Sequence, residues 1–135
     1  MKYYKYINTI LFITLFSFIS CNKNEEIVDN NTTKNEVSAD ISNNSFNFTA
    51  NTTNYQYDES YDVIFQKDSI QVTITVSSFQ TGSLDISVYS KNTEIFSKQV
   101  QSQINFQTII RGLPDKINIK LNDFSGIAVI NIKTI

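Results

Sequence analysis

Histidine and tryptophan are absent from this 135-residue sequence, cysteine and proline occur once each, and glycine occurs three times. Without histidine there is no imidazole for acid–base work, no Ser-His-Asp triad and no His-ligated zinc. The single cysteine, Cys21, excludes a disulfide within the chain and a thiolate metal cluster. Gly82, Gly112 and Gly126 stand too far apart to build the glycine-rich loops that cradle phosphates. Basic charge is also scarce, with 11 Lys and Arg against 13 Asp and Glu and a formal net charge of −2. That balance lacks the electrostatic footprint of a nucleic-acid binder, so no nucleic acid is expected as a partner. A content of 41% hydrophobic and 18% charged residues is that of a chain with a folded part, neither disordered throughout nor polytopic in a membrane.

The N-terminus is organised differently from the rest. Lys2 and Lys5 form a basic head, and Ile7 to Ile19 is apolar except for Asn8, Thr9, Thr14 and Ser17. The stretch is short of the roughly 20 apolar residues a stable bilayer span needs, and it has the length of a signal-peptide core. Residues 1–20 are therefore expected to be an export signal. Residues 21–43 follow as a flexible tether rich in Asn, Thr and Glu, too polar to offset its own ordering entropy. The only Cys of the chain sits at the junction, where a structural thiol has nothing to pair with.

In Phe18-Ile19-Ser20-Cys21 the sequence resembles the lipobox of bacterial lipoproteins, which ends in a small residue followed by Cys. Ser20 and Cys21 match; Phe18 stands where Leu is usual and Ile19 where a small residue is usual. The resemblance implies cleavage before Cys21 and acylation of that residue, and several acyl chains anchor a protein stably where one does not. Lys23, Glu25 and Glu26 resemble the surface-export signal of Bacteroidetes lipoproteins, a Lys and acidic residues close behind the lipidated Cys. The resemblance implies an outer-membrane protein, held by its lipid and displayed on the cell surface. Read without the resemblance, the same residues are a solvated leash.

From residue 44 onward the hydrophobic pattern has period two. Ile70, Val72, Ile74 and Val76 alternate with Gln71, Thr73, Thr75 and Ser77, and Leu84, Ile86 and Val88 with Asp85, Ser87 and Tyr89. Ile117, Ile119 and Leu121 form another such row, as do Ile104, Phe106 and Ile110, Phe46 and Phe48, and Tyr61, Val63 and Phe65. Phe96 and Val100 mark a weaker one, and in the last, Ala128, Ile130 and Ile132, the flanking Ile127 and Val129 suggest a strand covered on both faces. Turns are expected at Gln80-Thr81-Gly82, Lys91-Asn92-Thr93, Arg111-Gly112-Leu113-Pro114 and from Asn122 to Gly126. Seven or eight short strands at intervals of about 8–12 residues, with no helical pattern between them, predict an all-β chain. The expected domain is a single antiparallel β-sandwich over residues 44–135. Leu113 to Ile135 resembles the closing hairpin of small Ig-like or jelly-roll modules on secreted bacterial proteins, which is a resemblance of turns and core and implies no ligand.

Candidate sites are few. Tyr55, Tyr57 and Tyr89, with Tyr61, offer flat apolar rings with a polar tip, which suits a protein or glycan ligand; the competing reading is edge packing, with Tyr61 in the core. Asp58, Glu59 and Asp62 form a carboxylate cluster without the spacing of a calcium loop or a marked catalytic partner, so neither a metal nor a cofactor is expected. Asp68-Ser69-Ile70 resembles the O-glycosylation acceptor of Bacteroidetes, which implies a glycan on Ser69. The expectation is a membrane-anchored lipoprotein with a non-catalytic binding or interaction domain. The alternatives are a structural accessory subunit of a surface complex and a small inhibitor of a secreted hydrolase.

Overall fold

The computed structural model describes residues 34–135; the expected signal, Cys21, Lys23, Glu25 and Glu26 lie outside the described residues. Six strands follow one another: β1 (Glu36–Ser42), β2 (Ser45–Asp62), β3 (Ser69–Ser90), β4 (Thr93–Val100), β5 (Ile104–Arg111) and β6 (Lys116–Thr134). All pairings are antiparallel, in the order β1-β2-β6-β3-β4 with β5 against β3. Three strands are long, with 18, 22 and 19 residues in β2, β3 and β6.

Each long strand serves two layers. Phe46 and Tyr61 belong to the same strand, yet their rings lie 5.1 Å apart, and Phe48 and Tyr57 are 5.8 Å apart. An extended strand would separate such pairs by tens of ångströms, so β2 folds back over itself. The pairing register breaks at the fold, between Thr52 and Tyr57 on β2 and between Ser77 and Ser83 on β3. A non-glycine residue in the left-handed region marks the bend of each strand: Asn54 (φ 48°), Ser78 (φ 51°) and Asp123 (φ 46°). Such bulges bend a strand and raise its twist. Gly82 (φ 85°) stands where a Cβ would strike the backbone carbonyls of Asn122 and Asp123, so the corner needs glycine there.

The result is a sandwich. One layer has five strands, in the order β1, 45–52 of β2, 126–134 of β6, 69–77 of β3, and β5. The other has four: 55–62 of β2, 116–124 of β6, 81–90 of β3, and β4. The facing inner rows are those the alternation marked. Ile70, Val72, Ile74 and Val76 are buried, as are Leu84, Ile86, Val88, Ile117, Ile119 and Leu121. Cross-strand partners on the inner face match apolar to apolar, such as Phe48–Ile130–Ile74 and Leu121–Leu84–Val100.

Polar groups at the corner find partners. The Thr52 hydroxyl donates to the Phe124 carbonyl (3.2 Å), the Asn54 amide to the Ser125 hydroxyl (2.8 Å), and the Gln56 side chain to Asp123 (3.0 Å). At the opposite end Asn44 (φ 73°) is a hub. Its amide donates to the Ile64 carbonyl (3.2 Å), its side-chain oxygen accepts from the Gln66 amide (2.7 Å), and its carbonyl accepts from the Thr134 amide (3.1 Å). This ties the 63–68 connection and the C-terminus to the β1–β2 turn.

The structure departs from the sequence expectations in four places. The turns expected at 80–82 and 122–126 are bends within continuous strands, because the residues that favour turns also favour bulges. Tyr61 is the penultimate residue of β2, whereas Val63 and Phe65 are buried from the loop that follows. Ile127 and Val129 are not covered by a second layer; they are 37% and 42% exposed on the outer face. Finally, β1 lies inside the stretch assigned to the tether. Its side chains are almost all exposed and it is held by backbone pairing to β2, which composition does not register.

Candidate functional site

The two open sides of the sandwich differ. On one side β4 ends the four-strand layer and β5 ends the five-strand layer, so a strand faces a strand. Phe96 of β4 stacks on Phe106 of β5 with ring centroids 6.2 Å apart, and the Lys98 ammonium sits 4.3 Å from the Phe106 ring centroid. A cation over an aromatic face is attracted by the ring quadrupole while its stem covers apolar surface.

On the other side the layers are unequal. β1 ends the five-strand layer, but the four-strand layer stops one strand short, at residues 55–62 of β2. Val37, Ala39 and Ile41 pair in register with Ala50, Phe48 and Phe46, so they share the inner face. Their cover falls away along the strand: Val37 is half-buried against the core, Ala39 is exposed, and Ile41 is 45% exposed. They form the floor of an open step, and the inward side chains of 55–62 form its wall.

That wall is made of tyrosines. Tyr55 and Tyr57 stack at 6.4 Å with 26° between their planes, Tyr57 packs on Phe48, and Tyr61 packs on Phe46. The hydroxyls of Tyr57 and Tyr61 hydrogen-bond to each other. Burial, reinforced by that bond, pushes the Tyr61 phenol above its ordinary value of 10.0, so it stays neutral and hydrogen-bonding across the physiological range. Glu59 stands between them, in register with the buried Ile119, and its carboxylate is exposed.

Strand alternation divides the other candidates. Asp58 and Asp62 point to the outer face, opposite to Glu59, so the three carboxylates do not converge. Asp58 pairs with Lys120 at 3.4 Å, and among the described residues no group of His, Cys, Asp and Glu could hold a metal. Tyr89 does not join Tyr55 and Tyr57. It lies on the outer face of the four-strand layer, 3.4 Å from Glu94, over a shallow depression of about 230 Å³ lined by Asn92, Asp115, Lys116 and Asn118. Ser69 opens β3, half-buried, opposite Arg111. The β1 floor was missed at the sequence level, although Val37-Ser38-Ala39-Asp40-Ile41-Ser42 alternates with period two.

No family model and no curated protein matches the chain. Among solved structures, a pilus protein of Bacillus endospore appendages is similar in shape, with 14% identity and a TM-score of 0.44 over 76% of this chain and 91% of that one. A CBM4 carbohydrate-binding module has 9% identity and a TM-score of 0.37 over 73% and 77% of the two chains. The apo CBM1 of BiXyn10A has 8% identity and a TM-score of 0.40 over 76% and 93%. These are likenesses of shape; the strand pairing and ring contacts themselves establish the sandwich.

Proposed function

We propose that the chain is a lipid-anchored surface protein whose sandwich holds a protein or glycan ligand without transforming it. The observation that carries this reading is the tyrosine wall of Tyr55, Tyr57 and Tyr61 standing over the uncovered β1 floor. Rings held by packing on Phe46 and Phe48 present area at little conformational cost, and their hydroxyl tips supply hydrogen bonds. Tyr61, held neutral, is no general base, and Glu59 faces solvent away from any partner acid. The accessory-subunit reading shares this surface, because an uncovered inner face is what a docked neighbour would cover.

The ligand claim is tested by offering the full chain to an array of immobilised oligosaccharides and proteins. Retention that is lost in Tyr57→Ala while the variant keeps the wild-type circular-dichroism spectrum supports the reading; retention of no probe, or conversion of one, overturns it. The anchor is tested separately. Cys21→Ala is expected to leave the membrane fraction, and changing Glu25 and Glu26 together to Ala is expected to remove surface exposure on whole cells while acylation continues. Unchanged partitioning and processing of Cys21→Ala would contradict the anchor.

A further inference from the structure

We infer that the open side receives an extended, basic peptide segment of another protein, which adds a fifth strand to the four-strand layer alongside residues 55–62 of β2. The inference rests on the binding reading above and names the ligand class for that surface.

Among the described residues, the backbone of 55–62 is paired on one edge only. The Val63 amide donates to the Asp115 carbonyl at 3.1 Å, and the same register runs through Tyr61–Ile117, Glu59–Ile119 and Tyr57–Leu121. In an antiparallel pair the residues that exchange hydrogen bonds alternate with those that do not. The N–H and C=O groups of Asp58, Ser60 and Asp62 therefore point away from β6, into the open side, where no described strand pairs with them. Among the described residues β1, β4 and β5 also have free outer edges, but a strand added beside β1 would extend the five-strand layer and leave the floor uncovered, and the inner faces of β4 and β5 already cover each other. Only beside β2 would an added strand both pair a free backbone and bury an apolar floor, that of Val37, Ala39 and Ile41. Main-chain pairing with side-chain pockets on one face is how extended peptides are recognised.

Charge selects the occupant. A strand laid along 55–62 sets its inward side chains beside Tyr57, Glu59 and Tyr61, and its outward ones beside Asp58, already paired with Lys120, and Asp62, whose register partner is Lys116. Like charges directly opposite one another destabilise a strand pair. A second copy pairing through the same edge would bring two such acidic rows together. The chain's own tether is no better suited, since Glu25, Glu26 and Asp29 flank its only apolar pair, Ile27 and Val28. A segment with a Lys or Arg opposite Glu59 and apolar residues on either side of it meets the inward charge with its opposite, and basic residues outward lie beside the carboxylates of Asp58 and Asp62. An inward Glu thus rejects self-pairing and admits a basic partner, which is specificity by repulsion as well as attraction.

The experiment uses the full chain and a capped synthetic peptide, Thr-Lys-Val-Thr-Lys-Lys-Val-Thr, with a counterpart carrying Glu at each Lys. Binding is read by fluorescence anisotropy. The basic peptide is expected to bind and the acidic one not, with affinity falling as salt is raised. Ser60→Pro removes an edge N–H that serves no bond within the fold and is expected to weaken binding at least tenfold. Glu59→Lys is expected to weaken the basic peptide at least tenfold and to confer binding of the acidic one, an exchange that mere unfolding cannot produce. Failure of the basic peptide to bind, or indifference to both substitutions, overturns the inference. If array ligands are still retained and lost in Tyr57→Ala, the binding reading survives that failure; if nothing is retained, both fall. A wild-type dimer that Ser60→Pro dissociates would make a second copy the occupant and overturn the inference as well.

Discussion

The β4/β5 side and the β1/β2 side of this sandwich face the same problem, an inner face that must stop somewhere, and they meet it differently. Where each layer ends on a strand, Phe96 and Phe106 close the gap and Lys98 lies across it. Where one layer is a strand short, tyrosines from the shorter layer lean on Phe46 and Phe48, and the floor beyond them stays open. Side-chain chemistry here follows strand count. Phe serves where two strands enclose it. Tyr serves where one end of the ring remains wet.

The largest expected effect strikes the centre that both sides share. Ile74 is buried between Phe106 on β5 and Ile130 on β6. Ile74→Ala is expected to cost about 2–5 kcal/mol in chemical denaturation, and Ile74→Asp to prevent folding. A folded Ile74→Asp variant would remove the basis for treating the sides as margins of one core. The comparison itself is sharpened by a matched pair of truncations. Phe106→Ala opens the sealed side and is expected to cost about 2 kcal/mol. Ile41→Ala, on the open side, is expected to stay within about 0.5 kcal/mol, because nearly half of that side chain already meets water in the folded chain. Equal costs would mean that the floor is covered after all.

The smallest effect concerns pH. The Tyr61 phenol is raised above 10.0 by burial and by its bond to Tyr57. A group whose pKa is raised on folding contributes stability that is complete below its unfolded value and is lost as pH rises through the folded one. Stability is therefore expected to fall above pH about 10 more steeply in the wild type than in Tyr61→Phe, as read from urea midpoints across the alkaline range. Parallel curves would show that burial does not hold the proton on Tyr61.

Much of the fold was legible in the alternation, because the core of a sandwich is written with period two and these inner rows are almost purely apolar. The Lys91–Asn92 hairpin and the Gly112 turn were legible for a related reason, since residues that tolerate positive φ stood between strands. The corner was not. Asp123 and Gly82 bend strands that continue, and a local sequence carries the same signal whether the chain reverses or is only deflected, so the count of strands came out as short pieces of long ones. β1 was obscured by its surroundings: Val37, Ala39 and Ile41 alternate correctly, but they sit among polar residues and remain mostly exposed, so their burial never distinguishes them from a tether. Of the candidate site, Tyr55 and Tyr57 on a common face were legible from spacing. The separation of Tyr89 from them depends on strand pairing across the sheet, which spacing along the chain does not encode.

Amide hydrogen exchange along residues 55–62 reads the open edge itself, because an edge paired on one side only has an alternating pattern within a single strand. In the isolated full chain the amides of Asp58, Ser60 and Asp62 are expected to exchange fast. Those of Tyr57, Glu59 and Tyr61, facing β6, are expected to exchange slowly, by a factor that approaches the protection of the central β3 amides. Uniformly slow exchange from Tyr57 to Asp62 would show that the edge is already paired, and the open side would not exist.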